Sequence, residues 1–163
     1  MQYFSLNHES PRVSFKEAVV RGIAPDKGLY FPTRIETLDS KIIANIDQYA
    51  QVDLAQAMIG QFVGEDIPRE ELTRIIKDTL SFDFPLVEVE PDIYALELFH
   101  GPTMAFKDVG ARFMARCLSY FNQDNDNEVT VLVATSGDTG GAVASGFLGV
   151  KGVNVVILYP SGK

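Results

Sequence analysis

Two stretches of the sequence carry residue types that could do chemistry. The first is Lys107, set in Phe99-His-Gly-Pro-Thr-Met-Ala-Phe-Lys-Asp-Val-Gly110. A lone lysine is usually a solvated surface residue. Here Met104, Ala105 and Phe106 precede it, and the spacing puts it at a loop-to-helix junction. Desolvation favours the neutral amine, the form that makes a Schiff base with an aldehyde. Asp108 beside it reads as a helix cap rather than a catalyst. The second stretch is Thr135-Ser-Gly-Asp-Thr-Gly-Gly141. It follows an apolar run and opens a helical one. Unpaired N–H groups and the positive end of the helix dipole would meet there. Gly137, Gly140 and Gly141 allow close approach by an anion, and Ser136 and Thr139 add hydroxyls. The spacing matches neither the phosphate-loop ending Gly-Lys-Ser/Thr nor Gly-x-Gly-x-x-Gly. A tight turn that merely uses glycine is the plain alternative.

These segments need elements to hold them. Val129-Thr-Val-Leu-Val-Ala134 is a β-branched run suited to a buried parallel strand. A helical stretch to Leu148 and the run Val153–Leu158 complete one βαβ unit. Residues 108–121 show helical spacing through Val109, Phe113 and Leu118. Ahead of them, Leu86–Val89 and Ile93–Leu96 flank Pro91-Asp92, the pattern of a hairpin. The first eighty-odd residues read as small helices. Ser14-Phe-Lys-Glu17 is a capping box with Gly22 at the far end, giving a helix over about 15–21. Gly28–Pro32 reads as a short strand. Helical spacing covers 39–48 and 53–62, the latter with Asp53 as N-cap, and Pro68 opens a helix with Leu72, Ile75, Ile76 and Leu80 on one face. The polar run Asn122–Asn127 reads as a surface loop. The expected division is a helical region over 1–84 and an α/β region over 85–163. Two helices are too few to cover both faces of a parallel sheet, so the sheet looks unfinished.

Composition limits the function classes. The 163 residues carry 14 Lys+Arg against 22 Asp+Glu, a net charge of -8. Residues 1–100 hold 9 basic and 17 acidic side chains, whereas 101–163 hold 5 of each. Such a balance argues against nucleic-acid and anionic-membrane partners, which need a basic face. One cysteine, Cys117, permits no internal disulfide and no multi-cysteine zinc site, and no metal site is expected. The absence of a basic-then-apolar leader or a membrane-length apolar run points to a reduced, cytoplasmic setting.

The two stretches are recognisable beyond their composition. Leu98–Phe113 strongly resembles the pyridoxal-phosphate lysine segment of the threonine synthase family. Ala134-Thr-Ser-Gly-Asp-Thr-Gly-Gly-Ala142 resembles that family's substrate-carboxylate loop. Tyr3, Ser14-Phe15 and Ala24-Pro-Asp-Lys-Gly-Leu-Tyr-Phe31 resemble its bacterial start. The resemblance implies a tryptophan-synthase-β-like, fold-type II architecture: a helical N-terminal region plus the start of a parallel-sheet, three-layer α/β domain. It implies the cofactor pyridoxal 5'-phosphate and the conversion of O-phospho-L-homoserine and water to L-threonine and phosphate. Lys107 would hold the cofactor and move protons at Cα and Cβ of the substrate. Ser136, Gly137, Asp138, Thr139 and Gly140 would form the substrate-carboxylate site. Asp138 would also stand near the cofactor ring, and Phe106 would pack beside it. His100 belongs to the motif, with a structural hydrogen bond expected rather than catalysis.

Length departs from the family. Members are considerably longer, and their glycine/asparagine-rich loop for the cofactor phosphate has no counterpart in 1–163. The chain is therefore expected to be an N-terminal fragment, inactive alone, with a sheet edge open to self-association. Competing readings are another fold-type II activity, such as threonine dehydratase or cysteine synthase, and a non-enzymatic α/β module that binds small anions.

Overall fold

The computed structural model describes residues 1–123 and 128–161. Backbone contacts divide the chain into two compact units, Met1–Lys77 and Asp78–Lys163.

The first unit is not only helical. Strand β1 (Gln2–Ser5) pairs antiparallel with β2 (Val13–Ser14) and with β3 (Tyr30–Pro32), giving the order β2-β1-β3. The register sets Tyr3 opposite Val13 and Pro32. Tyr3, Val13 and Ala18 form a buried cluster, with Met1, Phe15 and Tyr30 packed against it. The Tyr3 hydroxyl donates to Phe62 O at 2.8 Å. Burial, with Asp66 as a smaller contributor, pushes the Tyr3 phenol up to about 12, so it stays a donor.

Helix α1 (Phe15–Arg21) follows its capping signal. Ser14 is extended and its hydroxyl accepts from Glu17 N–H at 3.2 Å. Gly22 ends the helix at φ 70°, a left-handed value, and its N–H returns to Ala18 O. The expected helix over 39–48 is split into α2 (Ser40–Ala44), capped by Asp39, and a 3₁₀ turn over Ile46–Gln48. Helix α3 (Gln51–Val63) starts earlier than expected. Its N-cap is Ala50, and Asp53 lies in the first turn with its N–H on Ala50 O. An acidic residue is favourable there through the helix dipole, so Asp53 fits a position other than the cap. Helix α4 (Arg69–Thr79) buries Leu72, Ile75 and Ile76, as its spacing predicts. Thr73 ties it to α3 through Gln56 at 3.1 Å.

Asp26 explains the Ala24–Phe31 motif. Its carboxylate accepts from the Ser5 hydroxyl at 2.6 Å and from Gly28 and Glu9 N–H at 3.0 Å each. Its own N–H donates to the Ser10 hydroxyl at 3.1 Å. A Cβ at Gly28 would overlap the Ser5 hydroxyl. Desolvation works against ionisation here, but the Ser5, Gly28 and Glu9 bonds outweigh it and lower the carboxyl from 3.8 to about 2. The folded form therefore prefers the carboxylate. Its contribution is fully present above pH about 3.8 and is lost as the pH falls towards 2. Asp26→Asn is expected to lower stability near neutral pH and to flatten the acid limb of the unfolding profile, measured by circular dichroism between pH 2 and 6. An acid limb unchanged by the substitution would count against this role.

The second unit opens with the hairpin β4 (Leu86–Glu90) and β5 (Ile93–Leu96), whose turn holds Asp92 at φ 64°. Helix α5 (Lys107–Asn122) packs on α6 (Asp138–Phe147). The helices approach closely because Gly146 faces Ala111; a Cβ there would sit 3.1 Å from the Ala111 backbone. Ala111, Ala115, Cys117, Leu118 and Phe121 on α5 and Ala142 and Phe147 on α6 are buried. Burial pushes the Cys117 thiol up to about 12, so it is an inert core group. Asn122 is the last residue of α5 and Gln123 follows it; the rest of the expected polar loop, 124–127, lies outside the described residues.

Strands β6 (Val129–Ala134) and β7 (Val153–Leu158) pair in parallel from Val129↔Val153 to Ala134↔Leu158. The expectation of fully buried strands is corrected here. Burial alternates with period two: Val131, Val133, Val155 and Ile157 are half-buried, while Leu132, Val156 and Leu158 are exposed. Only one face of the pair is covered, in keeping with a sheet that is incomplete.

Candidate functional site

The loop before α5 sets the position of Lys107. Pro102 follows Gly101, and the chain turns with Met104 N–H on Gly101 O at 3.0 Å and Asp108 N–H on Ala105 O at 3.0 Å. Met104 adopts φ 57°, which is costly for a residue with a side chain. Helix α5 begins at Lys107, with Phe106 at the N-cap position and no side-chain cap bond.

Asp108 corrects the expectation of a helix cap. It lies inside the first turn, and its carboxylate turns back into the loop. It accepts from Thr103 N–H at 2.9 Å and from the Thr103 hydroxyl at 2.6 Å. A Cβ at Gly101 would overlap this carboxylate, so Gly101 is required by space.

Lys107 Nζ lies 5.9 Å from the centroid of the Phe106 ring, within cation–π range. The two residues line a cleft of about 380 Å³ with Leu98, Phe99 and Met104 as apolar wall. Asp138, at the start of α6, lines the same cleft. Lys107 and Asp138 are its charged groups among the described residues. The structure thus brings Lys107, Phe106 and Asp138 together.

The remaining loop residues face elsewhere. Ser136, Gly137 and Gly140 line a second cleft of about 440 Å³, with Ile157 and Tyr159. Thr139 lines neither. Several loop N–H groups are already bonded within the loop: Gly137 to the Thr135 hydroxyl at 3.3 Å, and Gly140 and Gly141 to Gly137 O at 2.9 and 3.3 Å. A Cβ at Gly140 would strike Thr135 Cγ2 at 2.7 Å. The 135–141 turn is thus a wall between two clefts, with Asp138 on one side and Ser136 on the other.

His100 lines neither cleft. Its Nε2 pairs with Glu97 Oε2 at 2.6 Å, and its ring stacks on Phe99 at 4.9 Å. Leu98 and Phe99 belong to the lysine motif, and the structure adds them to the cleft lining. Tyr159 lines the second cleft without any signal in the sequence, since an aromatic just past a strand carries no distinguishing pattern.

Comparison with known proteins gives this arrangement a context. A family model described as threonine synthase N terminus matches residues 2–80. Threonine synthase from Haemophilus influenzae is 44% identical over 163 residues, covering 100% of this chain and 37% of its own. The chain is homologous to threonine synthase. The solved structure of the Escherichia coli enzyme superposes with a TM-score of 0.91 at 42% identity, covering 100% of this chain and 38% of that one. The PLP-bound threonine synthase from Brucella melitensis gives a TM-score of 0.90 at 35% identity, over 99% of this chain and 36% of that one. The chain matches the N-terminal part of these structures and spans somewhat over a third of its relatives' length. The helices and small sheets described above accord with that incomplete architecture. Among the described residues, no group of His, Cys, Asp or Glu is placed to hold a metal, and no helix is long and apolar enough to cross a membrane.

Proposed function

We propose that this chain is the lysine-bearing part of a threonine synthase, the enzyme that forms L-threonine and phosphate from O-phospho-L-homoserine and water. The observation that carries the reading is the cleft that Lys107 lines together with Phe106, apolar residues and Asp138, with the Lys107 amine 5.9 Å from the centre of the Phe106 ring.

The residues fit one end of pyridoxal 5'-phosphate. An amine in an apolar-walled cleft suits an aldehyde, and the flat Phe106 ring suits a planar heterocycle. The phosphate end is a different matter. Lys107 is the cleft's cation among the described residues, and it cannot hold the aldehyde and the phosphate together. When bound, the cofactor supplies an electron sink for charge developing at the substrate Cα. In this reading Lys107 anchors the cofactor covalently and then moves protons at Cα and Cβ of the substrate. The substrate carboxylate is assigned to the loop Ser136, Gly137, Asp138, Thr139 and Gly140. Of these, Asp138 alone lines the Lys107 cleft among the described residues and also stands beside the cofactor ring, so the others must turn towards that cleft when substrate binds. The compartment is the cytoplasm, where the buried Cys117 thiol stays reduced.

The test is chemical trapping. The 163-residue chain is incubated with pyridoxal phosphate, reduced with borohydride and mapped by peptide mass spectrometry. Lys107 is expected to carry the label ahead of Lys16, Lys27, Lys41, Lys77 and Lys151. Because no lining cation among the described residues is left for the phosphate, half-saturation should need a large excess of cofactor, and added O-phosphohomoserine should yield no threonine. Label spread evenly over the lysines would overturn the role of Lys107. Turnover by the isolated chain would overturn its inactivity.

A further inference from the structure

We propose that the Asp108–Thr103 pair is the device that fixes Lys107, with Asp108 acting as a positioning residue for the amine. The inference rests on the reading of Lys107 as the cofactor-bearing lysine, and it assigns a task to a buried carboxylate that the proposed chemistry does not use.

Asp108 is 1% exposed, deeper than any other acidic group of the described residues. A buried carboxylate is costly unless its oxygens are bonded. Both are: Oδ2 receives the Thr103 N–H at 2.9 Å and Oδ1 the Thr103 hydroxyl at 2.6 Å. The bonds close a ring of chain that runs from Thr103 to Asp108. Met104, Ala105, Phe106 and Lys107 are the residues inside it.

That ring replaces the cap that α5 lacks. Phe106 offers no side-chain bond to the first turn, so the helix start would be free to fray. The tie comes instead from a residue of the helix reaching back to the loop. It also holds Met104 at φ 57°. A residue in the left-handed region persists when its surroundings over-determine it. Here the Gly101 turn bond lies on one side and the Asp108 ring on the other. Gly101 has no room for a side chain because the carboxylate occupies that space. Loop, helix start and lysine stem are therefore one unit.

The alternative is that the pair only adds stability. Three variants separate the two: Thr103→Val removes the hydroxyl, Thr103→Ser restores it, and Thr103→Ala serves if valine prevents folding. Two readouts are used. One is amide exchange at residues 103–107. The other is the ratio of Lys107 to Lys151 labelling, by pyridoxal phosphate with borohydride and, separately, by acetic anhydride. Thr103→Val should raise exchange in the loop about tenfold, as expected for loss of a bond to a charged group. It should also change both labelling ratios severalfold, and Thr103→Ser should return them to the original values. The proposal is overturned if Thr103→Val or Thr103→Ala shifts the melting curve while loop exchange and both ratios stay unchanged. Failure of the cofactor reading looks different: Lys107 of the original chain then shows no preference for pyridoxal phosphate, while its acetic anhydride ratio still responds to Thr103→Val.

Discussion

Lys107→Ala is expected to abolish catalysis in a chimera where residues 1–163 replace the aligned segment of the Escherichia coli threonine synthase. The 42% identity and TM-score of 0.91 make that exchange practicable. Proton transfer by a positioned side chain contributes roughly 10²–10⁴-fold. Lys107 is assigned both the covalent anchor and the proton transfers, so the loss should exceed that of a simple acid–base residue. Lys107→Arg is the informative companion. It keeps a cation over the Phe106 ring but cannot form the covalent link. Both variants should be inactive, and neither should yield a borohydride-trapped adduct at position 107. Activity in Lys107→Arg within about tenfold of the unsubstituted chimera would show that charge, not amine chemistry, is what the position supplies.

The largest stability effect is expected at Ile75→Ala. Ile75 and Ile76 are 0% exposed on α4, and deleting a fully buried isoleucine to alanine costs about 2–5 kcal/mol. Domains of this size hold about 5–15 kcal/mol in total, so the variant should lie near the edge of folding at 37 °C. Ile43→Ala is the control, since Ile43 on α2 is exposed and should change stability by about 0.5 kcal/mol or less. Urea titration followed at 222 nm reads both. A loss at Ile75 no larger than at Ile43 would mean that α4 is not what holds the first unit together.

Local signals were readable wherever the structure answers them locally. The Ser14 capping box, the Gly22 stop, the Pro91-Asp92 turn and the buried stripe on α4 follow from residues a few positions apart. Local spacing falls short where the partner is distant or where one residue type suits two places. Strands β1 and β2 carry no local signal, because Gln2–Ser5 is short and pairs with residues up to about thirty positions away. Asp53 suits a cap and a first turn equally, and the backbone chose the second. Asp108 has the place of a cap for the helix it opens, whereas its carboxylate answers Thr103 in the loop. The β-branched run 129–134 signals a strand but not how many of its faces are covered. The 135–141 turn was legible as a whole, yet no spacing rule divides its residues between two clefts. Asp138 comes to the cleft of Phe106 and Lys107 because α5 and α6 pack through Ala111 and Gly146, a tertiary fact that the motifs do not encode.

The half-covered β6–β7 pair has a calorimetric consequence. Leu132 is 65% exposed and Leu158 52%, so much of their hydrocarbon is hydrated before unfolding begins. Surface that is wet in both states adds nothing to the heat-capacity increment or to the denaturant slope. For its length, this chain should release less apolar area than a fully wrapped α/β domain. Its stability curve should be correspondingly flat with temperature, and its urea transition correspondingly broad.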